Sequence, residues 1–479
     1  MIKDSLLHAD RLLPALPAAR DIARALYARV SDFPIISPHG HTDPGWFAEN
    51  KNFSNPAELL IVPDHYLLRM LYSQGVSLSD LGVRSKDGTP AEADPRKIWA
   101  TFAQYYYLFA GTPTKMWMDH VFYDVFGATE AFGPDTADSI YDLIDGQIKS
   151  DGFKPRALLD KFNIDLIATT EGALNDLKHH AALDGTDYAK RVITTFRPDD
   201  CIDADKPQFA GNLEKLSGLT GFNTSDWDGY LNAMRTRREF FRNVGRATAS
   251  DHGHPTAMTA DLDKGECQKL LDLCLSGKAS AEQTDLFRAQ MLTEMAGMSI
   301  EDGMTLQIHP GSYRNHNDPL FAQYGADKGA DIPMRVNYTQ SLQPLLSKYG
   351  NDPKLKVILF TLDESNYARE LAPLAGHYPC LKLGPPWWFH DSPQAMLRFR
   401  DQVTETAGFY NTAGFNDDTR AFLSIPARHD VARRMDCHFL ALLVTEHKIS
   451  MAEAETIIVD LTYNLANDAY SLGLEAKSA

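Results

Sequence analysis

Apolar positions along this chain follow two rhythms. Near the N-terminus Leu12, Leu16, Ala19, Ile22 and Leu26 recur at helical spacing, and the pattern stops before Asp32-Phe33-Pro34. A short apolar run, Phe33 to Ser37, follows and ends in His39-Gly40-His41. Seven further runs read as buried strands: Ile164 to Thr169, Arg191 to Phe196, Arg246 to Ser250, Met304 to Ile308, Lys356 to Thr361, Cys380 to Leu383 and Phe409 to Phe415. Helical patterns separate them. One helix takes Ser392 as N-cap, Pro393 at its first position, Met396, Phe399 and Val403 as an apolar face, and Gly408 as its stop. Another runs from near Asp226 to Gly245, with Tyr230, Leu231, Met234, Phe241 and Val244 on one side.

Eight strands alternating with helices predict the α/β class and a distorted, closed (β/α)8 TIM-type barrel with an N-terminal helix. A doubly wound open sheet is the competitor. The chain carries neither GxGxxG nor GxxxxGK[ST], the usual nucleotide fingerprints of open sheets. The interval from His41 to Ile164 is far too long for one crossover helix. Within it Trp99, Phe102, Tyr106 and Phe109 keep helical spacing, as do Trp117, Val121 and Val125, which reads as the core of a helical insertion. The expected organisation is an N-terminal helical segment over 1–32 and the first barrel strand within 33–44. The insertion follows over 45–154, and the remaining barrel with its C-terminal helices occupies 155–479.

Composition narrows the function. The chain has 479 residues, 44% of them hydrophobic and 10% aromatic, which suits a large packed core and argues against disorder. The formal charge of −17 argues against a nucleic-acid surface, yet leaves room for a small anion held by local arginines. Five cysteines form no CxxC pair and suggest no disulfide framework. The first thirty residues hold no continuous apolar segment of the secretory type, and no stretch approaches a membrane span. A cytoplasmic protein is expected.

In such a barrel the chemistry sits at the C-terminal ends of the strands. Those ends offer His39 and His41; Thr170 and Glu171; Arg197; Asp251 and His252; His309 with Arg314 just beyond; Asp363; Trp387 and Trp388; and Asp417, Asp418 and Arg420. At i and i+2 on an extended chain His39 and His41 point the same way, so both imidazoles can meet one ion. A lone His-x-His is a weak signal. An acid on the last strand, adjacent to the first by barrel closure, makes His39, His41 and Asp418 a reasonable shell for zinc or another divalent ion. Three arginines at strand ends make an anion-binding mouth, against the reading of each as a solvated loop charge. His309 reads as a ligand, an acid/base or a satisfied core histidine. Asp251-His252-Gly253 is either a histidine with an orienting carboxylate or turn chemistry.

Several segments together resemble the uronate isomerases, the glucuronate/galacturonate isomerase branch of the amidohydrolase superfamily. They are Pro34-Ile-Ile-Ser-Pro-His39-Gly-His41, Asp64-His65-Tyr66, Gly111-Thr-Pro113 with Trp117 and His120, and Thr195-Phe-Arg197-Pro-Asp199. Ser250-Asp-His-Gly253, Leu306-Gln-Ile-His309-Pro-Gly311 with Arg314-Asn315, Trp387-Trp-Phe389, and Asp418-Thr-Arg420 with Arg428-His429 complete the set, in order along nearly the whole chain. The resemblance implies a distorted barrel with a helical insertion and a mononuclear site with His39, His41 and Asp418 in the metal-ligand places. It further implies that His65, Tyr66, Arg197, Arg314, Arg420 and Trp387 line a sugar-acid site. Strand 4 lacks a Lys or Glu to bridge two metals and strand 6 offers Asp363 rather than His, which counts against a binuclear hydrolase.

The expected reaction is aldose–ketose isomerisation of D-glucuronate to D-fructuronate, and of D-galacturonate to D-tagaturonate, by proton transfer from C2 to C1 through an enediol. Tyr66, lowered toward neutrality by a nearby cation and oriented by His65, is the expected proton shuttle, with Asp418 and His309 as further catalytic groups. The rivals are a mononuclear metal-dependent hydrolase or deaminase on the same barrel, and a non-catalytic sugar-acid-binding module. The expected cofactor is one divalent metal ion, zinc first. The expected partners are a small-molecule uronate and further copies of the chain in a homo-oligomer, with no nucleic acid and no membrane.

Overall fold

A computed structural model describes residues 6–478. Seven strands lie side by side in chain order: β1 (Ile35–Ser37), β2 (Ile164–Gly172), β3 (Val192–Arg197), β4 (Ala249–His252), β5 (Thr305–Ile308), β6 (Val357–Leu359) and β7 (Leu381–Leu383). Every neighbouring pair is parallel. Helices cover the outside, so the strands are buried on both faces and read as continuous apolar runs. This is the (β/α) barrel architecture of the α/β class.

The eighth strand, expected over Phe409 to Phe415, forms a single bridge between Leu383 and Thr412. Gly408 and Gly414 sit at φ +68° and +71°, outside the extended region, so no ladder grows there. The ring is closed instead by isolated contacts. Leu383 N–H donates to Asn411 O at 2.9 Å, Ala413 N–H to Leu383 O at 2.8 Å, and His41 N–H to Thr419 O at 3.0 Å. β4 also departs from expectation. Arg246 takes φ +53°, which no strand tolerates, so the strand begins at Ala249 and runs on to carry Asp251 and His252 within it.

The two helices singled out by spacing form over Pro393–Ala407 and Trp227–Val244. Ser392 Oγ accepts the Ala395 N–H, and Asp226 caps the second helix at Gly229 N. The N-terminal helix spans Pro17–Val30; Leu12, at φ +66°, lies outside it. Between β1 and β2 the chain is helical and holds no strand. Trp99, Phe102, Tyr106 and Phe109 are buried there among Phe122 and Phe132, in an apolar cluster continuous with β1, β2 and β3. No helix among the described residues is long and apolar enough to cross a membrane.

Candidate active site

One cavity of about 960 Å³ opens at the C-terminal ends of the strands. It brings together His39, His41, His65, Tyr66, Arg197, His309, Arg314, Trp387, Asp418 and Arg420, residues from the ends of β1, β3, β5 and β7, from the stretch that closes the ring and from the helical run after β1.

The deep end is built on β1. A hydrogen bond from Thr170 Oγ1 to Gly40 O at 2.9 Å pins the His39-Gly40-His41 turn to β2. The two imidazoles converge on one carboxylate: His39 Nε2 and His41 Nε2 lie 3.6 Å and 3.0 Å from Asp418 Oδ1. Asp418 holds φ +39°, a conformation that costs a non-glycine residue about 1–3 kcal/mol and persists only where the surroundings enforce it. His309 joins from β5, its ring 4.8 Å from that of His39. Its Nδ1 is 2.6 Å from Asp251 Oδ1, which leaves Nε2 directed elsewhere. Asp251 Oδ2 is 3.2 Å from Arg197 Nη1, and Arg197 Nε donates to Asp199 Oδ2 at 2.8 Å. Asp251 is thus an orienting carboxylate for His309, on the strand beside its own, and not for His252 next to it in sequence.

Other strand-end residues point away. Asp363 caps the turn at Glu364–Asn366 by accepting the Ser365 N–H. Glu171 is turned toward Thr169 and Thr194, and Asp417 Oδ2 is bound to His429 at 3.0 Å.

The roof comes from the helix His65–Ser73, whose N-cap Asp64 accepts the N–H groups of Tyr66 and Leu67. The His65 and Tyr66 rings stack at 4.5 Å. Arg428 lies over Trp117 at 3.5 Å and faces the Tyr66 ring at 5.4 Å, and its guanidinium donates to Asp391. Trp117, expected to be insertion core, is therefore part of the wall behind Tyr66. The sequence names Arg428 only within the resemblance, without a role, and does not single out Asp391; an Arg-His pair in a helix carries no signal of what lies across the fold. At the outer end Arg420 pairs with Asp327 at 3.0 Å, Arg314 pairs with Asp331 at 3.0 Å, and Arg314 lies over the Trp388 ring.

Burial dominates the protonation of these groups. It drives His39 down to about 4 and His65 down to about 3, so both are neutral at physiological pH. It pushes Tyr66 above the usual phenol value; Arg428 pulls the other way and is outweighed. The expectation that a neighbouring cation lowers Tyr66 toward neutrality is thus corrected: the cation is present, and desolvation wins. Burial also raises Asp391 to about 7 despite Arg428. For Asp418 burial acts upward, but attraction to His39, His41 and His309 draws the carboxyl below its ordinary value. That pull needs charged imidazoles. With His39 neutral, Asp418 is a buried carboxylate whose Oδ1 accepts no hydrogen bond.

The donor set suits a metal. Ligand atoms of His39, His309 and Asp418 lie within 4.8 Å of one another, and His41 reaches the same Asp418 oxygen. Asp418 Oδ1 and His309 Nε2 are buried without a hydrogen-bond partner, an arrangement that is costly without an occupant. Three imidazoles and a carboxylate are zinc-class donors.

The glucuronate isomerase family profile matches residues 13–470. The chain belongs to the uronate isomerase family. A uronate isomerase of Xanthomonas axonopodis pv. citri is 58% identical over 466 residues, covering 97% of this chain and 98% of that one. The crystal structure of glucuronate isomerase from Caulobacter crescentus superposes with a TM-score of 0.95 at 58% identity, covering 98% of both chains. The uronate isomerase of Thermotoga maritima, 26% identical, still gives a TM-score of 0.89 over 97% of this chain and 99% of that one. As a uronate isomerase the chain is an enzyme of the isomerase class, and the hydrolase and binding-module readings are not favoured.

Proposed function

We propose that the protein isomerises the open-chain aldehyde of a hexuronate, D-glucuronate to D-fructuronate and D-galacturonate to D-tagaturonate. The observation that carries this reading is a carboxylate whose Oδ1 is buried beside the His39–His41 pair and a buried phenol on one cavity whose mouth is fringed by arginines. Arg420 and Arg314 take the substrate carboxylate in place of Asp327 and Asp331, using the planar fork that guanidinium offers a carboxylate. Arg197, deeper and fixed by Asp199 and Asp251, faces the reacting end.

Breaking the C2–H bond leaves its electron pair to form the C1=C2 bond of the enediol. Asp418 takes that proton and returns it to C1 on the same face. Tyr66, held as a phenol by burial, donates to O1 as the enediol forms and recovers the O2 proton as the ketone forms. This places the carbon-bound proton on Asp418 and the hydroxyl proton on Tyr66, the reverse of the expectation from sequence. His65 stacks against Tyr66 and orients it. His39, His41, His309 and Asp418 would hold one divalent ion, whose chemistry when bound is polarisation of a substrate oxygen. Trp387, packed 4.7 Å from the His309 ring, floors the pocket.

The test is an NMR time course in D2O with D-glucuronate, which reports product, exchange at C2 and the face of transfer together. Asp418→Asn should abolish C2–H exchange with zinc retained, while Tyr66→Phe slows ketose formation. Exchange surviving in Asp418→Asn and lost in Tyr66→Phe would restore the original assignment. Pure, metal-loaded protein that leaves both glucuronate and galacturonate unchanged would overturn the reading. A homo-oligomer is part of the proposal; a solution mass of one 53.4 kDa chain by light scattering would remove it.

A further inference from the structure

Behind Arg197 the sheet carries a second group of metal-compatible side chains that the isomerase site leaves unused. β4 sends Asp251 toward the cavity and the next residue, His252, to the opposite face, where it meets Ser250. His254 follows one residue past Gly253, and Asp199 stands in the turn after β3. One ligand atom from each of Asp199, His252 and His254 lies within 4.8 Å of the other two. The three residues are buried, at 8%, 0% and 2% exposure. Asp199 Oδ1, His252 Nδ1 and both ring nitrogens of His254 have no hydrogen-bond partner. So many orphaned polar atoms in so small a volume call for an occupant.

Two of the three candidate ligands are steered through their other polar atom. Asp199 Oδ2 accepts from Arg197 Nε at 2.8 Å and from Gly253 N at 3.2 Å, which leaves Oδ1 free. His252 Nε2 lies 3.2 Å from Ser250 Oγ; a proton on Nε2 puts the ring's lone pair on Nδ1. His254 Nδ1 lies 3.6 Å from Asp203 Oδ1, beyond hydrogen-bond range, and Asp203 is itself held by Arg288 Nε at 3.0 Å. Carboxylates and hydroxyls that fix a histidine from behind are the usual support of a metal ligand. Asp199, Asp200, Asp203 and Asp205 line the adjoining wall of the cavity and give a cation an acidic route inward.

We infer that Asp199, His252 and His254 form a second site for a first-row divalent cation of the zinc class, separate from the barrel mouth. Two imidazoles and one carboxylate disfavour magnesium and calcium, which take oxygen ligands. Donors around a tetrahedral zinc stand about 3.4 Å apart, so binding draws the three ligand atoms together. The bound ion would lock the β3 and β4 ends together and so hold Asp199, and through it Arg197, in place.

Zinc itself is the probe. After chelation, reloading and dialysis, zinc per chain is counted by mass spectrometry in the parent protein, in a His39→Ala, His41→Ala, Asp418→Asn variant, and in His254→Gln. The expected result is two, one and one, with far-UV circular dichroism unchanged. One zinc in the parent and none in the triple variant would overturn the second site. Failure of the barrel-mouth centre looks different: one zinc in the parent, kept by the triple variant and lost in His254→Gln. Should His254→Gln not fold, zinc-edge absorption of the triple variant decides. Imidazole ligands on a retained zinc support the site, whereas no zinc, or zinc without imidazole, rejects it.

Discussion

Arg197 keeps its place because residue 253 has no side chain. A Cβ there would lie 2.0 Å from Arg197 Nη2 and 3.2 Å from Asp199 Oδ2. Gly253→Ala should therefore push the guanidinium out of line and lower kcat/KM on the order of 10²-fold with far-UV circular dichroism unchanged, since small misplacements near the chemistry are expensive. Arg420→Lys should raise KM and lower kcat together, because a lysine cannot reproduce the planar fork; unchanged steady-state kinetics would remove Arg420 from the clamp. His65 sets a pH dependence. Its pKa is 6.5 when unfolded and about 3 when folded, so between those values the unfolded chain binds a proton that the folded chain refuses. This contribution is complete above 6.5 and is lost as pH falls toward about 3. Urea midpoints across that window should fall less steeply in His65→Gln than in the parent. Much at this scale was legible. Spacing and strand-end position mark His39, His41, Asp418 and the three arginines, and the structure gathers them around one cavity. Asp251, Arg428 and Trp117 were obscure as functional neighbours, because their partners His309, Tyr66 and Asp391 lie on other elements.

The strands were visible as apolar runs because both faces of a parallel sheet are covered. Their ends were harder to read. Arg246 looks like strand until its left-handed backbone is seen, and the run from Phe409 to Phe415 is apolar for packing while Gly408 before it and Gly414 within it forbid a ladder. The turn after β7 shows how tightly elements are fitted to the site. A Cβ at Gly384 would come within 2.2 Å of the Phe360 ring, and that ring stacks on His309 at 3.8 Å. Gly384→Ala should cost about 1–3 kcal/mol in chemical denaturation and disturb His309, so activity should fall along with stability. A variant of undiminished stability and activity would show that Phe360 moves aside freely.

Across the whole molecule the barrel is thinly joined at two places, the single β3·β4 pair Phe196–Ser250 and the seam where β7 meets β1 through the Asn411–Thr419 stretch. The ladders β2·β3 and β4·β5 run over several residues, whereas the seam rests on isolated bonds. Amides bound in few, isolated contacts open at low free energy. Deuterium uptake should accordingly be faster over 411–419 than over 192–197, in native protein without ligands. The centre straddles this seam: His39 and His41 stand on its β1 side, and Asp418 on the other. Whatever binds those three side chains staples the ring shut. Saturation with zinc or with a uronate should slow deuterium uptake along 411–419 more than anywhere else in the sheet, so that filling the mouth is felt as the barrel losing a loose joint.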